Sequence, residues 1–113
     1  MGNPMSKFTL ADLEQRVKER AKAGADVSYT RKLLDKGIAH CAKKFGEEAV
    51  EVVVAAVSED KDRLIGESAD TLYHLMVLLE ARGITLAEIE AVLETRTKKS
   101  GLEEKASRNE ADR

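Results

Sequence analysis

The sequence predicts an all-α fold, a bundle of four to five helices. Apolar residues recur at helical spacing through most of the chain. Aromatic residues make up only 4%, Trp is absent and the single proline is Pro4, a composition that favours aliphatic helix packing over a sheet with aromatic cross-strand pairs.

The elements follow in order. Phe8, Leu10, Leu13 and Val17 set a helical period from Phe8 to about Ala23, with Thr9 and Asp12 as a start signal and Gly24 as the stop. A shorter segment runs from Ser28, a plausible cap, to Lys36 and stops at Gly37. From Ile38 to Val57 a stripe of Ile38, Ala42, Phe45, Ala49, Val52, Val53 and Ala56 predicts a long helix. Its Val-Val-Val run at 52–54 is β-branched and reads locally as a strand, but strong helix formers flank it and the stripe spans about five turns. After a polar break, Asp62 to Arg82 carries Leu64, Ile65, Leu72, Leu75, Met76 and Leu79, with Gly83 as a C-terminal stop. Thr85 and Glu88 form a capping box that opens a last helix to about Thr97. Residues 1–7 read as a flexible N-terminus, 8–97 as one domain, and 98–113 as a polar C-terminal tail.

With 113 residues, a monomer buries only about two-thirds of its extended-chain surface, so association with a second copy would add to the core. The 19 basic and 21 acidic side chains leave a net charge of −2, which argues against nucleic acid or an anionic membrane as partner. The longest apolar run, Val52 to Val57, is far short of a bilayer span. One cysteine, Cys41, and an N-terminus without an apolar stretch predict a reducing, cytoplasmic location.

The chemistry concentrates in two acidic segments, Gly46-Glu47-Glu48-Ala49-Val50-Glu51 and Glu67-Ser68-Ala69-Asp70. Residues three apart share a helix face, so Glu48 projects with Glu51 and Glu67 with Asp70. If the two long helices pack antiparallel, the pairs meet at comparable heights on either side of the connection near Lys61. Clustered carboxylates repel by roughly 1 kcal/mol per pair in water and about 4 near a protein surface at ~4 Å, so such a group moves apart, protonates or binds a cation. All-oxygen ligands suit magnesium, with manganese as a substitute, rather than structural zinc. The competing reading is an ordinary solvated helix face.

The Glu-Glu-x-x-Glu motif, 15 residues, then Glu-x-x-Asp resembles the signature of the MazG-like all-α nucleotide pyrophosphohydrolases. Ser28-Tyr29-Thr30, Lys32-Leu33-Leu34, Lys36-Gly37, Lys43-Lys44 and Thr71-Leu72-Tyr73-His74-Leu75, together with the ending Ser100 to Arg108, narrow the resemblance to the phosphoribosyl-ATP pyrophosphatase family. The likeness covers about Phe8 to Arg108. It implies a MazG-like bundle completed by homodimerisation, and magnesium-dependent hydrolysis of the α–β phosphoanhydride of phosphoribosyl-ATP to phosphoribosyl-AMP and pyrophosphate, the second step of histidine biosynthesis. It further implies Glu48, Glu51, Glu67 and Asp70 as metal ligands, with Glu47 as ligand, acceptor or base, and all five as the catalytic set. With 113 residues and no suitable Cys/His metal cluster, the chain is expected to be a stand-alone enzyme, without the cyclohydrolase domain often fused to this activity.

Lys43 and Lys44 precede the acids by about one turn and lead as phosphate-binding residues, followed by Lys32 and Lys36. Arg82, Arg96, Lys98 and Lys99 are weaker candidates. His74 lies four residues after Asp70 and is read as packed, with a hydrogen bond to a ligand carboxylate as the alternative. Tyr29 and Tyr73 are read as packing residues that alternatively contact base or ribose, and Cys41 as a small core residue. Rival functions are house-cleaning hydrolysis of noncanonical nucleoside triphosphates and a noncatalytic helical dimerisation module.

Overall fold

The structure, a computed structural model, describes residues 7–98 and 108. Most of segments 1–7 and 98–113, including Lys99 and the Ser100–Ser107 part of the family-like ending, lie outside the described residues. Five helices carry the fold: α1 (Leu10–Ala21), α2 (Tyr29–Asp35), α3 (Ile38–Ser58), α4 (Lys61–Arg82) and α5 (Leu86–Thr97). No strand occurs among the described residues.

Most boundaries are set by short polar side chains, which satisfy backbone N–H groups that a helix start leaves without partners. Thr9 and Asp12 close a reciprocal capping box on α1, and Thr85 and Glu88 do the same on α5. Ser28 and Asp60 accept from the backbone N–H of Arg31 and Arg63, at 3.1 and 2.9 Å. Gly83 ends α4 in the left-handed region at φ 70°, where a side chain would be strained. Val52, Val53 and Val54 are helical, so the flanking residues and tertiary packing override their β preference.

The scaffold is the antiparallel pair α3–α4, whose helices are separated only by Glu59 and Asp60. Helices α1 and α2 pack beside it, and α1 contacts α5. Ser28 Oγ donates to the Arg20 carbonyl at 2.9 Å and Arg31 Nη1 to the Ala21 carbonyl at 2.9 Å, so the start of α2 satisfies the frayed end of α1. Glu14 accepts from the Leu86 N–H at 2.8 Å, placing an anion at the positive end of α5. Lys18 bridges α1 to Glu80 on α4 at 2.9 Å. Val17, Leu33, Cys41, Met76, Val77 and Leu86 form the buried core, each such aliphatic side chain contributing about 1.5–3 kcal/mol.

The stripe predicted for α3 is displaced. Cys41 and Ala55 are buried and Phe45, Glu48 and Val52 half-buried, whereas Ile38, Val53 and Ala56 are exposed. The cause is that α3 is apolar nearly all round its C-terminal half, so periodicity alone cannot choose its inward face. A ridge of Val50, Val53, Val54 and Val57 stands in solvent, with Val57 83% exposed, and Ile65 and Leu72 are exposed on α4.

Candidate active site

The short turn between α3 and α4 sets the register that brings the acids together. Carboxylate oxygens of Glu48, Glu67 and Asp70 lie within 4.8 Å of one another. Glu48 and Glu67 are half-buried and Asp70 is exposed. The trio therefore draws on both acidic segments. Glu51, expected beside Glu48, is exposed one turn further along α3 and stands outside this close group. Glu47 is also exposed and pairs with Lys44, 3.4 Å away.

Three carboxylates at this separation repel one another, and a cation offsets that repulsion. One is supplied by the chain: Arg63 Nε lies 3.3 Å from Glu67 and 3.6 Å from Glu59. Sequence reasoning missed Arg63, although its i,i+4 spacing to Glu67 was a usable signal. The remaining donor set is all oxygen and open on the Asp70 side, which fits a hard divalent ion that retains waters.

Of the four predicted phosphate-binding lysines, Lys44 reaches the acids, through Glu47. Lys43, Lys32 and Lys36 are exposed, the last two on and just after α2. Arg82, Arg96 and Lys98 are exposed towards the ends of α4 and α5.

His74 is buried one turn after Asp70, with its ring edge-on to Tyr73 at 5.1 Å and to Tyr29 at 6.4 Å. Burial pushes its imidazole below the ordinary range, against the opposite pull of Glu48, Asp70 and Glu47. The packed reading of this residue therefore describes it. Tyr73 hydrogen-bonds the buried Thr30 at 2.6 Å, and burial raises its phenol pKa. These contacts account for the Ser-Tyr-Thr segment: Ser28 caps α2, Tyr29 meets His74 and Thr30 pairs with Tyr73. Cys41 is buried, donates to the Leu33 carbonyl at 3.3 Å and has its thiol pKa raised by burial, which suits a core residue rather than a nucleophile.

A cavity of about 440 Å³ opens beside this aromatic group, lined in part by Arg20, Val27, Tyr29 and Tyr73. No local pattern in the sequence marks Arg20, because α1 lies far from the acids along the chain. No helix among the described residues is long and apolar enough to cross a membrane.

The family model for phosphoribosyl-ATP pyrophosphohydrolase matches residues 10–97. The chain is 64% identical over 106 residues to phosphoribosyl-ATP pyrophosphatase 1 of Bradyrhizobium diazoefficiens, covering 94% of this chain and 100% of that protein. It is 62% identical over 104 residues to the enzyme of the same name from Rhodopseudomonas palustris, covering 92% and 97%. A relative from Azorhizobium caulinodans named phosphoribosyl-ATP pyrophosphatase is 61% identical over 102 residues, covering 90% and 94%. With all five helices inside the matched span and near full-length agreement with these relatives, the chain belongs to the phosphoribosyl-ATP pyrophosphohydrolase family.

Proposed function

We propose that the chain hydrolyses the α–β phosphoanhydride of phosphoribosyl-ATP, yielding phosphoribosyl-AMP and pyrophosphate in the second step of histidine biosynthesis. The observation that carries this reading is the convergence of Glu48, Glu67 and Asp70 within 4.8 Å, in a chain whose relatives bear that enzyme's name. Those three acids would hold magnesium, or manganese in its place, and Glu51 would complete the set from the exposed edge. A bound divalent ion draws charge from phosphoryl oxygens and makes water a better nucleophile.

The protein's own groups do the rest. Water attacks phosphorus, the bridging P–O bond breaks and pyrophosphate leaves. Glu47, exposed beside these acids, would take the proton released by that water. Lys44, held by Glu47, offers positive charge to the polyphosphate, with Lys43, Lys36 and Lys32 as more distant attraction. The buried Cys41 thiol stays out of the reaction, and water attack needs no Ser-His-Asp or Cys-His arrangement, so the proposed hydrolysis is direct, without a covalent enzyme intermediate.

The exposed Val50, Val53, Val54 and Val57 ridge supports reading this face as the contact with a second copy of the chain. This ridge is uncharged and periodic at helical spacing, so a homodimer would bury it against its like. The reaction takes place in the cytoplasm, where nucleotide substrate and magnesium are available.

The test is magnesium-dependent release of pyrophosphate from phosphoribosyl-ATP, with Glu67→Gln as the inactive control. Faster turnover of dUTP or dCTP would assign the chain to house-cleaning hydrolysis. Unchanged activity in Glu67→Gln would remove the acids from the mechanism.

A further inference from the structure

The cavity beside the acids has its own chemistry. Arg20 makes no ion pair among the described residues, and its positive charge opposes in small part the rise that burial gives the Tyr73 phenol pKa. The Thr30–Tyr73 hydroxyl pair lies against the cavity wall. Val27, 77% exposed, and Tyr29, 54% exposed, give the opening an apolar rim. A guanidinium, two hydroxyls and an apolar rim suit a phosphorylated sugar, whose carbon face packs on the ring while its phosphate takes the cation.

The cavity's position relative to the acids strengthens the case. Tyr73 follows Asp70 by three residues on α4, so cavity wall and acid trio lie on neighbouring positions of one helix. Tyr29, part of the cavity wall, meets His74 ring to ring at 6.4 Å, and His74 in turn feels the charges of Glu48 and Asp70. Phosphoribosyl-ATP carries phosphate at two ends: a triphosphate, and a monophosphate on the pentose joined to the base. The acid trio serves the first end and offers nothing but repulsion to the second.

We propose that the cavity lined by Arg20, Val27, Tyr29, Thr30 and Tyr73 binds the phosphate-bearing pentose of the substrate, and that Arg20 is the residue selecting it over an unmodified adenine nucleotide. This inference rests on the proposed function, which names the substrate. Arg20 is exposed on its side-chain side, and its structural bond to Ser28 is made by its backbone carbonyl, so replacing the side chain leaves that bond in place.

Arg20→Gln, Arg20→Lys and Val27→Glu are compared with the parent protein by steady-state kinetics on phosphoribosyl-ATP and on ATP. Loss of a charge-assisted bond should raise KM for phosphoribosyl-ATP in Arg20→Gln by about 10- to 100-fold with little change in kcat. Activity on ATP should be unchanged, Arg20→Lys should restore part of the loss, and Val27→Glu, which sets an anion at the rim, should raise the same KM. Ribose 5-phosphate should inhibit the parent competitively and fail to inhibit Arg20→Gln. An equal loss on both nucleotides, or undiminished ribose 5-phosphate inhibition in Arg20→Gln, overturns the assignment. Calorimetric titration of ribose 5-phosphate into the parent protein and Arg20→Gln needs no turnover. Heat of binding in the parent alone supports the cavity assignment even if phosphoribosyl-ATP is not hydrolysed, and absence of binding in the parent overturns it.

Discussion

Replacing Asp70 with Asn should make the protein more stable without metal and less responsive to metal. Asp70 stands within 4.8 Å of both Glu48 and Glu67, so it takes part in two of the trio's three repulsions. At that separation each pair costs about 0.9 kcal/mol in the water-like dielectric suited to an exposed group, about 2 kcal/mol for the two. Asp70 is exposed and can swing away, and Arg63 already screens Glu67, so the surviving effect is about 1 kcal/mol. For a domain of this size that corresponds to a Tm rise of roughly 4 °C in chelator. The assay is thermal melting of both proteins at equal concentration, in EDTA and in magnesium. Magnesium should raise the Tm of the parent and leave Asp70→Asn nearly unmoved, since a ligand stabilises only the state that binds it. An Asp70→Asn protein that melts lower in EDTA and retains the full magnesium shift would refute the reasoning.

Tyr73→Phe leaves the buried Thr30 hydroxyl without its partner and should cost about 1–3 kcal/mol in urea unfolding, whereas Tyr73→Phe with Thr30→Val should cost less than the sum of the two singles. His74 has a folded-state pKa below its unfolded one, so the unfolded chain takes up the proton first. Stability should fall as pH drops from about 6.5 towards the folded value, and His74→Gln should remove that slope from Tm measured across the window. Val53→Asp, on the exposed α3 ridge, should shift the protein to monomer in light scattering while its helical circular dichroism persists. Unchanged mass in that variant would count against the ridge as the contact between copies.

Local signals carried most of the helix boundaries. Thr9 with Asp12 and Thr85 with Glu88 were readable as caps because each needs only its own four residues, and the structure forms both boxes. The acids at 48, 67 and 70 were readable together because a short connection fixes the register of two long helices. Glu51 stands outside the close trio: i,i+3 spacing sets a shared side of α3, but the reach to α4 depends on how the helix is rotated. The same rotation explains the displaced stripe, since Val52 and Val53 are equally apolar and only the packing of α3 leaves one half-buried and the other exposed. Arg20 was invisible for a different reason. It joins Tyr73 only through tertiary packing of α1 and α2 beside α4, and no local pattern announces a neighbour that far along the chain.

The tight corner at Glu59–Asp60 also governs how the acidic centre is assembled. All of its members lie between residues 47 and 70, so forming it requires closure of a short stretch of chain. Its contacts are of low sequence separation, the kind that topology allows to form quickly. Insertions ahead of α1 or beyond α5 leave that closure untouched, whereas lengthening the corner by even one residue would rotate α4 against α3 and scatter the carboxylates.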